Sequence, residues 1–203
     1  SVAYSNNVNA GTASAVVTFK GNYSGSKTIA FKIAPAAAKD FILSKKTYVY
    51  TGKALKPAVT VKDAAGKVIP AANYTVTFSA NKNPGKAIVI IVMKGNYSGQ
   101  KTLNFTINPK KTKLSKPTTD GITVTVKWTK MTKQTTGYQI QYGLKSNFKG
   151  AKIKTISKNK TVSAKIKGLK PGKKYYFRIR TYKKVGSKKY VSAWSAKKSI
   201  KVE

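Results

Sequence analysis

Hydrophobic and polar residues alternate along this chain with the period of two that belongs to a half-buried strand. Ile122, Val124, Val126 and Trp128 are separated by Thr123, Thr125 and Lys127, and Tyr138, Ile140 and Tyr142 by Gln139 and Gln141. Leu103, Phe105 and Ile107 alternate in the same way with Asn104 and Thr106. Shorter β-rich runs at Tyr48-Val49-Tyr50, residues 58–62 and residues 74–78 are bounded by turn residues such as Thr51-Gly52-Lys53, Asp63 to Gly66 and Asn83-Pro84-Gly85. The run Ala87 to Met93 is apolar throughout and bracketed by Lys86 and Lys94, which predicts a strand buried on both faces with charged gatekeepers at its ends. The fold class that follows is all-β, built as tandem antiparallel β-sandwiches.

The chain also repeats itself. Ser5 to Pro35 and Ser79 to Pro109 align without a gap at a spacing of 74, with 16 of 31 positions identical, including Gly21-Asn22-Tyr23-Ser24-Gly25 and Gly95-Asn96-Tyr97-Ser98-Gly99. Only the last 35 residues of the unit stand in the first copy, so about 39 (74 − 35) are expected to be missing from it. Its strands around Ala15 to Lys20 and Lys27 to Ile33 then lack partners. Residues 1–35 are expected to show open edges and a half-covered apolar face, and to pack on another chain, borrow a strand or be poorly ordered. The exposed Tyr of each Gly-Asn-Tyr-Ser-Gly loop could stack on a sugar, but Gly and Asn are what a tight turn needs, and turn chemistry is the preferred reading.

Composition removes most chemistry. There is no Cys and no His, and the only acids are Asp40, Asp63, Asp120 and Glu203. That leaves no thiol nucleophile, no ordinary metal site and few carboxylates to pair, so neither an enzyme nor a cofactor is expected. The net charge is +37, from 39 Lys and two Arg, Arg178 and Arg180. Residues 1–109 carry 14 Lys against two acids, and residues 110–203 carry 27 basic residues against two. Fields of this size favour adsorption to polyanions: teichoic acids, anionic polysaccharides, mucins, nucleic acid or acidic headgroups. The excess of Lys over Arg argues for charge without base readout, hence no specific nucleic acid. Alternatively, Lys simply fills the solvent face of each strand. No run reaches the roughly 18 apolar residues of a membrane span.

Alternation from Lys174 to Arg180 puts Tyr175, Phe177 and Ile179 inside, and Lys174, Tyr176, Arg178 and Arg180 outside. Together with Gln139 and Gln141, the outward positions of the run 138–142, these residues form the candidate ligand-binding face, suited to an acidic sugar or phosphate. The competing reading makes them ordinary solvent-face residues.

Two family resemblances follow from particular residues. Tyr50-Thr-Gly-Lys-Ala-Leu-Lys-Pro57, Val59-Thr-Val61-Lys-Asp63, Asn73-Tyr74-Thr-Val76 and Gly85 to Gly99 resemble the immunoglobulin-like repeats of Gram-positive surface proteins. Leu169, the Pro171-Gly172 turn and Tyr175, six residues after the Leu, resemble the tyrosine corner of a fibronectin type III module, with Trp128 and Val191-Ser-Ala-Trp194-Ser195 extending the likeness. Together they imply a truncated immunoglobulin-like repeat at 1–35, a complete one at 36–109, a linker at 110–117 whose like charges and prolines keep it extended, and a fibronectin type III domain at 118–203. The implied role is a non-catalytic spacer or adhesion segment, extracellular, on the cell surface or secreted. Its partners would be anionic cell-wall polymer or acidic glycan and the neighbouring domains of a longer chain. The alternative is the accessory, wall- or substrate-targeting region of a secreted polysaccharide or cell-wall hydrolase. No Arg-Gly-Asp triplet is present, so integrin-type binding is not implied. The glycosylation sequons at Asn22, Asn73, Asn96, Asn104 and Asn159 are read as chance in such a protein.

Overall fold

The computed structural model describes residues 1–203, and the chain is all-β with no α-helix. It divides into two compact units: Ser1–Lys46, Lys56–Ser79 and Ile88–Asn104 form the first, and Thr47–Leu55, Ala80–Ala87 and Phe105–Glu203 the second.

In the first unit, β1 (Val2–Ser5), β2 (Gly11–Thr18) and β3 (Ser26–Ile33) make an antiparallel sheet in that order. Residues 1–35 are thus regular strands, and they carry the half-covered apolar face expected of them: Val2, Tyr4, Ile29 and Phe31 are exposed, and Ala13 alone is fully buried. Phe31 keeps 38% of its surface in solvent, whereas Phe105, its counterpart in the second copy, keeps 2%. The backbone nonetheless repeats. Asn6 and Ala80 share a left-handed conformation at φ 54° and 52°, as do Gly21 and Gly95 at 72° and 65°. The Gly-Asn-Tyr-Ser-Gly segments are therefore turns whose glycines carry the required φ, and the second one also works as a latch. Asn96 Oδ1 accepts from the backbone N–H of Ala10 at 2.8 Å, and its Nδ2 donates to Asn9 Oδ1 at 2.7 Å.

The second repeat supplies β4 (Ala36–Ala37), β5 (Asp40–Leu43), β6 (Thr47–Val49), β7 (Val59–Lys62), β8 (Val68–Ile69), β9 (Tyr74–Ser79), β10 (Gly85–Met93), β11 (Tyr97–Ser98) and β12 (Gln100–Asn108). Strands β5, β7 and β8 form one antiparallel sheet, β4 runs parallel to β11, and β9 pairs antiparallel with β10. In the second unit β6 runs parallel to β12, and Tyr48 meets Phe105 edge to face at 5.3 Å. Strand β10 corrects one expectation. Ala87, Val89, Ile91 and Met93 are buried, but Ile88 and Ile90 are only half-buried and Val92 is 39% exposed. As usual for an antiparallel sheet, only one of its faces enters the core.

Also in the second unit, β13 (Thr118–Asp120), β14 (Thr123–Lys127) and β17 (Ser163–Ile166) form one sheet. The other runs β16 (Lys152–Ile156), β15 (Gly137–Gly143), β18 (Lys174–Val185), β19 (Lys188–Val191), with β20 (Lys198–Lys201) also on β18. Val124, Val126, Trp128, Tyr138, Ile140, Phe177 and Ile179 fill the space between them. Tyr175 Oη accepts from the backbone N–H of Lys170 at 3.1 Å, closing the tyrosine corner.

Residues 110–117 do not form the free linker expected of them. Leu114 is 2% exposed within the same core and bridges Trp128, while Ser115 N donates to Lys127 O and Thr129 N to Lys113 O. An apolar side chain that gains a sandwich interior outweighs the mutual repulsion of its exposed Lys neighbours. Replacing Leu114 with Ala is expected to cost about 2–4 kcal/mol, read as a lower urea midpoint at unchanged m. A change under about 0.5 kcal/mol would return the segment to linker status.

Candidate anion-binding face

Register on β15 and β18 builds the candidate face. Gln139 lies opposite Arg180, Gln141 opposite Arg178, and Gly143 opposite Tyr176. Side chains on one face of paired strands stand close enough to bond. Arg178 Nε donates to Gln141 Oε1 at 2.7 Å, and Arg180 Nε to Gln139 Oε1 at 2.8 Å. All six predicted residues are thus outward-facing, and five share one strip of the sheet with Lys174 beside Tyr176, its ammonium 5.7 Å from the ring centre.

Three further residues complete the strip. The Trp194 ring lies 4.7 Å from the Arg178 guanidinium and 4.3 Å from that of Arg180, and Phe148 lies 4.1 Å from Arg178. Lys197 stands over Tyr176 at 5.9 Å. The result is two cation–ring clusters, Lys174 and Lys197 on Tyr176, and Phe148, Arg178, Trp194 and Arg180 stacked in alternation, each contact favoured by the ring quadrupole. Trp194 was visible in the sequence only as part of a resemblance. Phe148 lies in a loop and gave no periodic signal, and its φ of 61° is unusual for a bulky residue.

Residues 192–195 place Trp194 without forming a strand. Ser192 N donates to Thr181 O and Thr181 N to Ser192 Oγ, while Ser195 N donates to Ile179 O and Ile179 N to Ser195 Oγ. Two serine hydroxyls therefore do for β18 what carbonyls of a paired strand would do, and the intervening Trp is swung out over the arginines.

Burial lowers the pKa of Arg178, and burial followed by the charge of Arg178 lowers that of Arg180. Both start from a value far above neutrality. A cation whose folded pKa is depressed costs stability below that pKa and recovers it only as pH rises through it, so both remain charged and contribute no slope near pH 7. The hydrogen bonds to Gln141 and Gln139 use Nε of each guanidinium, so the terminal Nη donors are the groups an anion would meet. Trp194→Ala removes the ring between two cations and is expected to cost about 1–2 kcal/mol, read from the urea midpoint. Retention of full stability would mean that the stack is incidental.

A strand order with β15 and β18 at the centre of one sheet, a tyrosine corner and a Trp held by two serines together decide the architecture of this region. Residues 108–197 match the fibronectin type III domain. A fibronectin type III domain is commonly a non-catalytic spacer or binding module. Among solved structures, the chain is similar to chicken CNTN1 FN1–FN3 domains, with 16% identity over 95% of this chain and 78% of that one and a TM-score of 0.42. It is also similar to domains A168–A170 of titin, with 13% identity over 95% and 75% and a TM-score of 0.37. No curated protein sequence matches the chain. The matched interval begins before Leu114, in keeping with its place in the fibronectin type III core.

Proposed function

We propose that this chain is a non-catalytic, extracellular spacer and adhesion segment of a Gram-positive surface protein, whose Lys-rich exterior holds it to anionic wall polymer or host glycan. The observation that carries the reading is the charge: 41 basic residues against four acids, 27 of the basic ones in residues 110–203. Exposed like charges at this density repel one another and lower the stability of the compact state, a cost that a bound polyanion offsets. The stacked guanidiniums add fixed donors to an otherwise mobile field of ammonium groups.

The test is binding to Gram-positive cell walls before and after removal of teichoic acid, across a salt series. Binding should need the polymer and collapse between about 50 and 200 mM salt. With no His in the chain, the protein's side of the interaction should be flat between about pH 5 and 8. Wall binding indifferent to salt and to polymer would overturn the reading.

A further inference from the structure

In the fibronectin type III domain β16 and β17 are edge strands of different sheets, unpaired with each other yet close enough for Lys154 of one to bond Lys165 of the other. Between these edges lies a groove made of two clefts. One, of about 350 Å³, sits at the end of the sandwich where the loop after β15 meets the loop after β17, and five lysines line it: Lys145, Lys149, Lys152, Lys167 and Lys170. The other, of about 460 Å³, adds Lys154 and Lys165. Tyr142 and Lys167 line both clefts, which therefore adjoin.

The charge here is concentrated and uncompensated. No carboxylate lines either cleft, since Asp40, Asp63, Asp120 and Glu203 all lie elsewhere. Lys154 Nζ reaches across the gap to donate to Lys165 O at 2.9 Å. Lysines on an exposed sheet edge discourage edge-to-edge pairing, and Lys152, Lys154 and Lys165 serve that end. Lys145, Lys149, Lys167 and Lys170 lie outside the strands, in loops with no edge to protect, yet they border the same concavity. An ammonium is a compact point charge without the fork of Arg, so it accepts anionic groups at variable spacing and angle. The groove also has an apolar share: Leu144 is 48% exposed at its rim, and the half-buried Tyr142 ring lies nearly parallel to Phe177. A cleft of this volume holds one or two sugar rings, and its continuation along the sandwich suits a chain that passes through.

We infer that the groove between β16 and β17 binds a stretch of linear polysaccharide carrying a carboxylate on each sugar. The carboxylates lie against the lysines of the two loops, and the pyranose C–H surface lies against Tyr142 and Leu144. This rests on the polyanion reading above and gives it a defined address, away from the stacked arginines.

Titration with oligogalacturonate of about six sugars at 100 mM salt tests it on the full chain, with maltohexaose and inorganic polyphosphate as comparison probes. One variant replaces Lys145, Lys149, Lys152, Lys167 and Lys170 with Gln. A second removes the same charge elsewhere, replacing Lys127, Lys130, Lys133, Lys184 and Lys189 with Gln. The groove variant should lose at least tenfold more affinity for oligogalacturonate than the second, and amide signals of Gly143, Gly150 and Gly168 should shift on titration of the unaltered chain. Equal losses in the two variants would overturn the groove while leaving diffuse adhesion intact. Polyphosphate binding with the same affinity and the same variant pattern would overturn the saccharide. Failure to bind oligogalacturonate beside salt-sensitive wall binding would overturn the groove alone, and failure of both would overturn the adhesion role with it.

Discussion

Gly137→Ala is expected to cost the fibronectin type III domain about 3–5 kcal/mol, the largest single-methyl effect in the molecule. Gly137 opens β15 opposite Tyr182, and its backbone is ordinary, so the demand for glycine is one of space. A Cβ there would stand 2.0 Å from Ile156 O and 3.0 Å from Tyr182 Cε1. Neither neighbour can yield cheaply: one is backbone of the adjacent strand, and Tyr182 is buried. At about 4–8 °C per kcal/mol for a domain of this size, the transition should fall by roughly 12–40 °C in a calorimetric melt. Gly186→Ala is the matched control, because its φ is 57° but nothing approaches its Cβ. It should cost about 1–2 kcal/mol. Equal losses at the two positions would show that β15 and β16 can move apart.

The second large effect belongs to Tyr138, which is fully buried and tilted against Trp128 with ring centres 5.2 Å apart. Its hydroxyl joins two loops: it accepts from Met131 N at 2.7 Å and faces Asn159 O at 2.8 Å and Met131 O at 3.1 Å. Tyr138→Phe keeps the ring and should cost about 1–2 kcal/mol, because the loop groups lose a partner they cannot replace. Tyr138→Ala adds a cavity beside Trp128 and should cost about 3–5 kcal/mol. The pair of variants, compared by urea unfolding, separates ring from hydroxyl. A neutral Tyr138→Phe would mean that water takes over the loop contacts.

How far the sequence discloses this molecule depends on where each signal is stored. Inward and outward positions follow from strict alternation over the first part of β18, where every side chain from Lys174 to Arg180 points as the pattern requires, and the pattern ends at Thr181 and Tyr182, which are both buried. The tyrosine corner is equally legible, because Leu169, Pro171-Gly172 and Tyr175 lie within one short stretch. The strand Ala87 to Met93 misleads, because its outward positions are apolar too and erase the alternation that would reveal a wet face. Leu114 is one apolar residue among lysines and prolines, too little for a period. The face itself is read only in part: Gln139, Gln141, Arg178 and Arg180 share a strand pair, but Phe148 and Trp194 arrive from distant loops through contacts no local pattern records. The Asn96 latch to Asn9 is hidden for the same reason.

One feature of the second unit matters when the chain is stretched. Thr47, Tyr48 and Val49 run parallel to Thr106, Ile107 and Asn108, and Tyr50 N adds a hydrogen bond to Asn108 O at 2.8 Å. Tension that draws two parallel strands in opposite directions along their axes loads all their bonds at once, in shear. An antiparallel hairpin pulled from its open end gives way one bond at a time. Pulled at its two ends, the short pair of β6 and β12 is therefore expected to resist as a unit and to fail in one step rather than bond by bond.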